Sequence, residues 1–352
     1  MSGIEYGNTR LRVRASMLLD EAAFRDLLRS PTLDGLLSRL ATGPYGRELE
    51  EALVRYRGLR RLDEAVRTHL AVQLTDVLSF YDDDIGDRLR LYQLGFDIRN
   101  VRSLLRALSR RTGGEAILSA LVPTSNLDGA ALGELARQRD VRAAVDLLSV
   151  WRLPSPQVVR HLRRVLGRYT ETGDVLILEG ALDQAFGAMV QAEVDRAPLG
   201  DPLAEALQDE VDRINVIGVL RARDIDSTGD AAMPMIPVDG GRIPDSVWSE
   251  AIGTEDRSVI LARIGGRLPR LWRRGLSAWV EHGNVAGLEA DLEAARAQAA
   301  ISRLRSDSLG IGVPVGFMGR KESEVKNLRL VGRAVADHLP RTDAFDQLVG
   351  LA

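Results

Sequence analysis

The side chains of this 352-residue chain that could carry catalytic or ligand chemistry are few and scattered. Its four histidines, His69, His161, His282 and His338, stand far apart, and none falls in an HExxH or other metal-ligand spacing. Isolated histidines of this kind read as surface or helix-end residues rather than as catalytic bases. The run Gly310-Ile-Gly-Val-Pro-Val-Gly316 has the glycine density of a dinucleotide loop. It follows no predicted strand and contains Pro314, so it reads as a hinge or connecting loop. There is no GxxxxGK(S/T) phosphate loop and no cysteine, which removes disulfides, thiolate chemistry and Cys-ligated zinc. Two acidic groupings suggest a metal, Asp239 with Asp245 and Asp82-Asp83-Asp84; the latter lacks the spacing and glycine of a calcium loop and reads as a solvated helix end. The expectation is no catalytic residue, no cofactor and no metal.

Arginine is the remaining functional group. Arg10, Arg12 and Arg14 alternate, Arg55, Arg57, Arg60 and Arg61 crowd together, and Arg160, Arg163, Arg164 and Arg168 recur at helical spacing. Arg263, Arg267, Arg270, Arg273 and Arg274 flank Trp272. Such clusters raise the alternative of a nucleic-acid-binding protein or a helical-repeat scaffold. Against nucleic acid stand a formal net charge of −3, an aromatic content of 5% without interleaving, and acidic neighbours such as Glu48, Glu50 and Glu51 that offer intrahelical pairing. The default reading of each cluster is a solvated helix face. The N-terminal MSGIEYGNTRLRVR lacks the apolar stretch of a secretory signal, and no uncharged apolar run approaches the roughly 20 residues that span a bilayer.

Internal repetition carries more information. FDIRNVRSLLRA (residues 96–107), VDRINVIGVLRA (211–222) and SEVKNLRLVGRA (323–334) share an acid, an Asn three residues on, and Arg-Ala six further on. The acids are Asp97, Asp212 and Glu324, the asparagines Asn100, Asn215 and Asn327, and the arginines Arg106, Arg221 and Arg333. Upstream, Leu62-Asp63, Leu178-Glu179 and Leu288-Glu289 each precede a branched apolar residue, and lie 38, 37 and 39 residues before the asparagines. Each signature is an amphipathic helix at ~100° per residue, with Val101, Leu104 and Leu105 and their counterparts on one face. The acid is expected near the helix start, where it can accept orphan N–H groups, and the Arg aims away from the core.

The rest of the chain is also helix-like, rich in Ala, Leu, Arg and Glu over 47–81, 156–167, 175–194 and 285–305. Breaks are expected at Ser30-Pro31, Gly43-Pro44, Gly113-Gly114, 122–126, 154–156, 200–202, 227–241, Gly265-Gly266 and 310–319. No period-two alternation argues for a sheet. Only some twenty residues follow the third signature helix, so its downstream partner helices are expected from the N-terminal segment, where Leu19 to Leu40 is similar to the segments downstream of the other two copies. The fold expected is all-α, with three similar helical domains: 1–80 with 310–352, 81–196, and 197–309, the two ends completing one domain together.

YGNTRLRVRASMLL (6–19), the FDIRN…LLRA and VDRIN…VLRA segments and GRKESEVKNLRLVGRAVADHLP resemble the signatures of the C-subunit family of V/A-type ATP synthases. Family members often carry Tyr or Phe where this chain has Ile214, Val216 and Ile217. The resemblance implies a pseudo-threefold funnel, a non-catalytic rotor subunit seated peripherally at the cytoplasmic face of the membrane. It implies as partners the central stalk and the membrane proteolipid ring, with neither nucleic acid nor a small-molecule substrate. Arg106, Arg221, Arg333, Arg270, Arg273 and Arg274 are the candidate interface residues.

Overall fold

The computed structural model describes residues 3–81, 83–112, 117–226, 236–254, 256–283 and 285–351. Among them every regular element is helical. After α1 (Ile4–Ala15), three short helices, α2 (Glu21–Leu28), α3 (Leu33–Ala41) and α4 (Gly46–Leu53), lead into two long ones, α5 (Gly58–Ser79) and α6 (Asp83–Ser109). The order recurs in α7 (Gly129–Ala136), α8 (Val141–Trp151), α9 (Pro156–Thr172), α10 (Leu176–Arg196) and α11 (Pro202–Asp226). It recurs again in α12 (Asp245–Ile252), α13 (Arg257–Ile264), a 3-10 turn at Gly265–Arg267, α14 (Arg270–His282), α15 (Val285–Ser306) and α16 (Gly312–Ala336). A short α17 (Arg341–Asp346) comes last. The first long helices have 22, 21 and 22 residues and the signature helices 27, 25 and 25, so the repeat extends to element length.

Local signals place the boundaries. Asp20, Thr32, Asp128 and Asp140 each accept a hydrogen bond from the backbone N–H three residues on, capping α2, α3, α7 and α8. Pro156 and Pro202 open α9 and α11, where a missing N–H costs nothing. Gly283 ends α14 in the left-handed region at φ 69°. The expected 47–81 helix is two helices, interrupted at residues 54–57. The expected breaks at Gly113-Gly114 and across most of 227–241 lie outside the described residues.

By packing, the chain forms two compact units, one of residues 1–155 with 297–352 and one of residues 156–296. In the first, α16 is the central helix. Gly312 to Gly319 are all buried, and α1, α2, α3, α5 and α6 all pack against α16. The stretch expected to be a connecting loop is therefore the first two turns of the most buried helix. Pro314 is tolerated there because it stands in the first turn. The glycines serve close approach: a Cβ on Gly316 would stand 2.6 Å from the Leu304 backbone N and 2.8 Å from the Ala300 carbonyl oxygen. In the second unit, Val216 and Val219 of α11 join Trp248, Trp272, Trp279, Leu288 and Leu292 in one core. The upstream leucines, Leu62, Leu178 and Leu288, are fully buried in all three copies.

Candidate functional site

Each signature asparagine makes the same two-bond clamp. The Asn100 amide N–H donates to the Val122 carbonyl (2.7 Å), and the Val122 N–H donates back to the Asn100 side-chain oxygen (3.0 Å). Asn215 holds Val238 at 2.8 Å in both directions. Asn327 holds Val349 at 2.8 and 3.1 Å. An amide side chain matches a peptide group donor for acceptor, which is why Asn suits this position. The three clamped valines lie 22 or 23 residues after their asparagine.

The signature acid, one turn earlier, fastens the start of the next group of short helices. It sits well inside its helix, not at its start, so it caps another segment rather than its own. Asp97 accepts from the Thr124 hydroxyl and the Asn126 amide (2.8 Å). Asp212 accepts from the backbone N–H groups of Arg242 (3.0 Å) and Ile243 (3.3 Å). Burial pushes Asp97 up to about 7 and Asp212 up to about 6, against the pull of these donors.

Glu324 completes the set with a different partner. It accepts from the Leu19 N–H (2.6 Å), the Tyr45 hydroxyl and the Lys321 ammonium (2.6 Å), all buried within the first unit except the half-buried Leu19. The segment after the third signature helix is thus supplied by the N-terminal α2–α4. The cluster extends to His69, whose ring lies 4.4 Å from that of Tyr45, with the Glu48 carboxylate 3.3 Å from Nδ1 and no hydrogen bond between them. Burial first, and then the Lys321 charge, hold His69 down to about 3. Burial, with Glu324 close by, raises Tyr45 well above the ordinary phenol range. These shifts favour a neutral imidazole and a neutral phenol beside the buried Lys321–Glu324 pair.

The remaining histidines are dispersed. His161 Nδ1 lies 2.9 Å from the Gln157 carbonyl of its own helix, and His282 and His338 are exposed. Among the described residues no group of three or more His, Asp or Glu is placed to hold a metal ion. The repeat arginines do not share one environment: Arg106 is half-buried, Arg333 is exposed, and the Arg221 side chain lies outside the described residues. On α14, Arg270 and Arg273 are exposed, while Arg274 is bound to Asp291 of α15. Sequence reasoning did not single out Lys321 or Tyr45, and read Glu48 as an intrahelical partner of arginine rather than a neighbour of His69; a lysine beside a glutamate three residues on was the available signal.

The family model of the ATP synthase (C/AC39) subunit matches residues 7–344. The chain belongs to that family. The C/AC39 chain is 29% identical to the C subunit of the V-type ATP synthase of Deinococcus radiodurans over 335 residues, 95% of this chain and 88% of that one. It is 27% identical to the C subunit of the A-type ATP synthase of Methanothermobacter thermautotrophicus over 334 residues, 94% and 83% of the two chains. With the A-type C subunit of Methanocaldococcus jannaschii it shares 20% identity over 348 residues, 98% of this chain and 86% of the other. The matched span of the C/AC39 chain takes in all three signature helices and the whole Glu324 cluster. No described helix is long and apolar enough to cross a membrane.

Proposed function

We propose that this chain is a non-catalytic rotor subunit of a V/A-type rotary ATPase, a socket that joins the central stalk to the membrane proteolipid ring at its cytoplasmic face. Its role is to pass torque between ATP turnover and ion transport. The carrying observation is the clamp built three times on three signature helices, with Glu324 reaching back to the N-terminal segment. It supports three similar units, 1–80 with 310–352, 81–196 and 197–309. Buried, mutually satisfied polar joints specify one arrangement and resist shear better than apolar contact alone, because each has a defined geometry. Family membership over residues 7–344 supports the assignment to the complex. Of the candidate interface arginines, Arg270, Arg273 and Arg333 are exposed and available to partner carboxylates.

The test is recovery of the affinity-tagged full chain from detergent-solubilised membranes of its own host, followed by cross-linking and peptide mapping. Co-recovery of the stalk and proteolipid subunits, with cross-links from this chain to both, is the expected result. Cross-links that place the chain only on stator subunits, or recovery without either rotor partner, would overturn the socket.

A further inference from the structure

Helix α9 carries four exposed arginines and a single acid. Several arginines on other helices find a carboxylate within one turn: Arg25 with Glu21, Arg47 with Glu51, Arg67 with Glu64, and Arg213 with Glu210. On α9, Arg160, Arg163, Arg164 and Arg168 are all exposed, and none of their guanidinium groups meets a carboxylate among the described residues. The helix, PQVVRHLRRVLGRYTET, contains one acid, Glu171, in its last turn. Three of the arginines form a ridge at every fourth residue, and Arg163 flanks it. Like charges at that spacing repel along a helix, so the ridge weakens the element that carries it.

The opposite face of α9 is already occupied. Val158, Val159 and Leu162 are buried, and the helix packs along α10. What it offers outward is charge without an apolar stripe. A helix that enters a lipid interface needs exposed Leu, Phe or Trp beside its cations, and α9 has none on this face. The ridge advances about 6 Å per arginine, the rise of four residues, which is also the period of a carboxylate ridge on another helix. Arginine adds two-pronged bonding to each carboxylate it meets.

We infer that the exposed face of α9 is a docking surface for an acidic helix of a partner protein, one bearing Glu or Asp at every fourth residue. The match is one of charge and period, and it holds whether or not the chain is a rotor socket.

The test uses the full chain and a designed alanine-based helical peptide of about 20 residues with a Glu ridge, read by fluorescence anisotropy at low and high salt. The wild type is expected to bind it in a salt-dependent way. The triple substitution Arg160→Glu, Arg164→Glu, Arg168→Glu is expected to weaken binding at least tenfold, and a Lys-ridge peptide to bind that variant in turn. The corresponding triple Gln variant, checked for helicity by circular dichroism, guards against loss of fold and should lose binding for the Glu ridge without gaining it for the Lys ridge. Absence of wild-type binding, equal binding by the triple Glu variant, or failure of the charge swap overturns the proposal. So does stronger binding to phosphatidylcholine–phosphatidylserine vesicles or to duplex RNA than to the peptide. In the assembled complex, a photo-cross-linker at position 164 should map to an acidic helix of another protein; capture of lipid, or of this chain itself, counts against the inference.

Discussion

Asn215 does with one side chain what strand pairing does with backbone: it satisfies both backbone polar groups of a buried residue, Val238, outside any helix ladder. Asn215→Ala leaves a buried N–H and a buried carbonyl without partners, at a cost on the order of 2–3 kcal/mol. Chemical denaturation should show that loss, with a smaller one for Asn327→Ala, whose Val349 is only half-buried. His69 makes a second, pH-dependent prediction. Its folded value near 3 lies below the ordinary 6.5, so the unfolded chain binds the extra proton first. The contribution is intact above about pH 6.5 and is lost as pH falls toward 3, with a limiting slope of about 1.4 kcal/mol per pH unit. His69→Leu should flatten the acid side of the stability profile relative to wild type; an unchanged profile would show that the imidazole is protonated in the fold. The spacing of acid, Asn and Arg was legible because all three lie on one helix. The partners of the asparagines were not, because Val122, Val238 and Val349 are held by their backbones, and a backbone partner leaves no residue type to recognise.

At the scale of elements, α16 shows why a glycine-rich run can mislead. Gly and Pro usually punctuate surface loops, and 310–319 reads that way from composition alone. The same glycines permit close approach in a helix buried on every side, where the ordinary amphipathic signal is absent. Three Gly→Ala substitutions separate these effects. Each gains up to about 1 kcal/mol of helix propensity. At Gly180 nothing lies within 4 Å of the new Cβ, so Ala should stabilise by most of that gain. At Gly332 the new methyl meets the tip of Leu62, a side chain that can rotate, and the two terms should nearly cancel. At Gly316 it meets the backbone of α15, which cannot rotate away, and overpacking of about 1–3 kcal/mol should exceed the gain. Thermal melts of the three variants should therefore rise, hold and fall; a stable Gly316→Ala protein would mean that α15 and α16 are free to separate.

At the scale of the whole chain, the three joints are chemically alike but topologically unequal. Asp97 reaches partners 27 and 29 residues away and Asp212 partners 30 and 31 away, whereas Glu324 reaches Leu19 across 305 residues. A roughly tenfold longer loop costs about 2 kcal/mol more in closure entropy. This is the joint that carries the buried Lys321–Glu324 pair and the Tyr45 hydroxyl, and charge-assisted bonds are the stronger kind. That the N-terminal helices complete the third copy was legible in the likeness of 19–40 to the segments after the other signatures; what holds them there was not, because Lys321 and Tyr45 recur in neither other copy. Glu324→Gln keeps an acceptor for Leu19 but leaves the Lys321 ammonium buried without its counter-charge, a loss of about 3–5 kcal/mol. Its effect should be confined to one compact unit. Hydrogen exchange should quicken in α2–α4 and α16 while the Trp248–Trp272–Trp279 core of the other unit keeps its protection, and Asp212→Asn should do the reverse. Adding Lys321→Met to Glu324→Gln removes the stranded charge and should restore most of the protection in α16, though not the orientation of Leu19. If Glu324→Gln instead loosened both units equally, the joint would be one contact among many rather than the fastening that holds the two ends of the chain together.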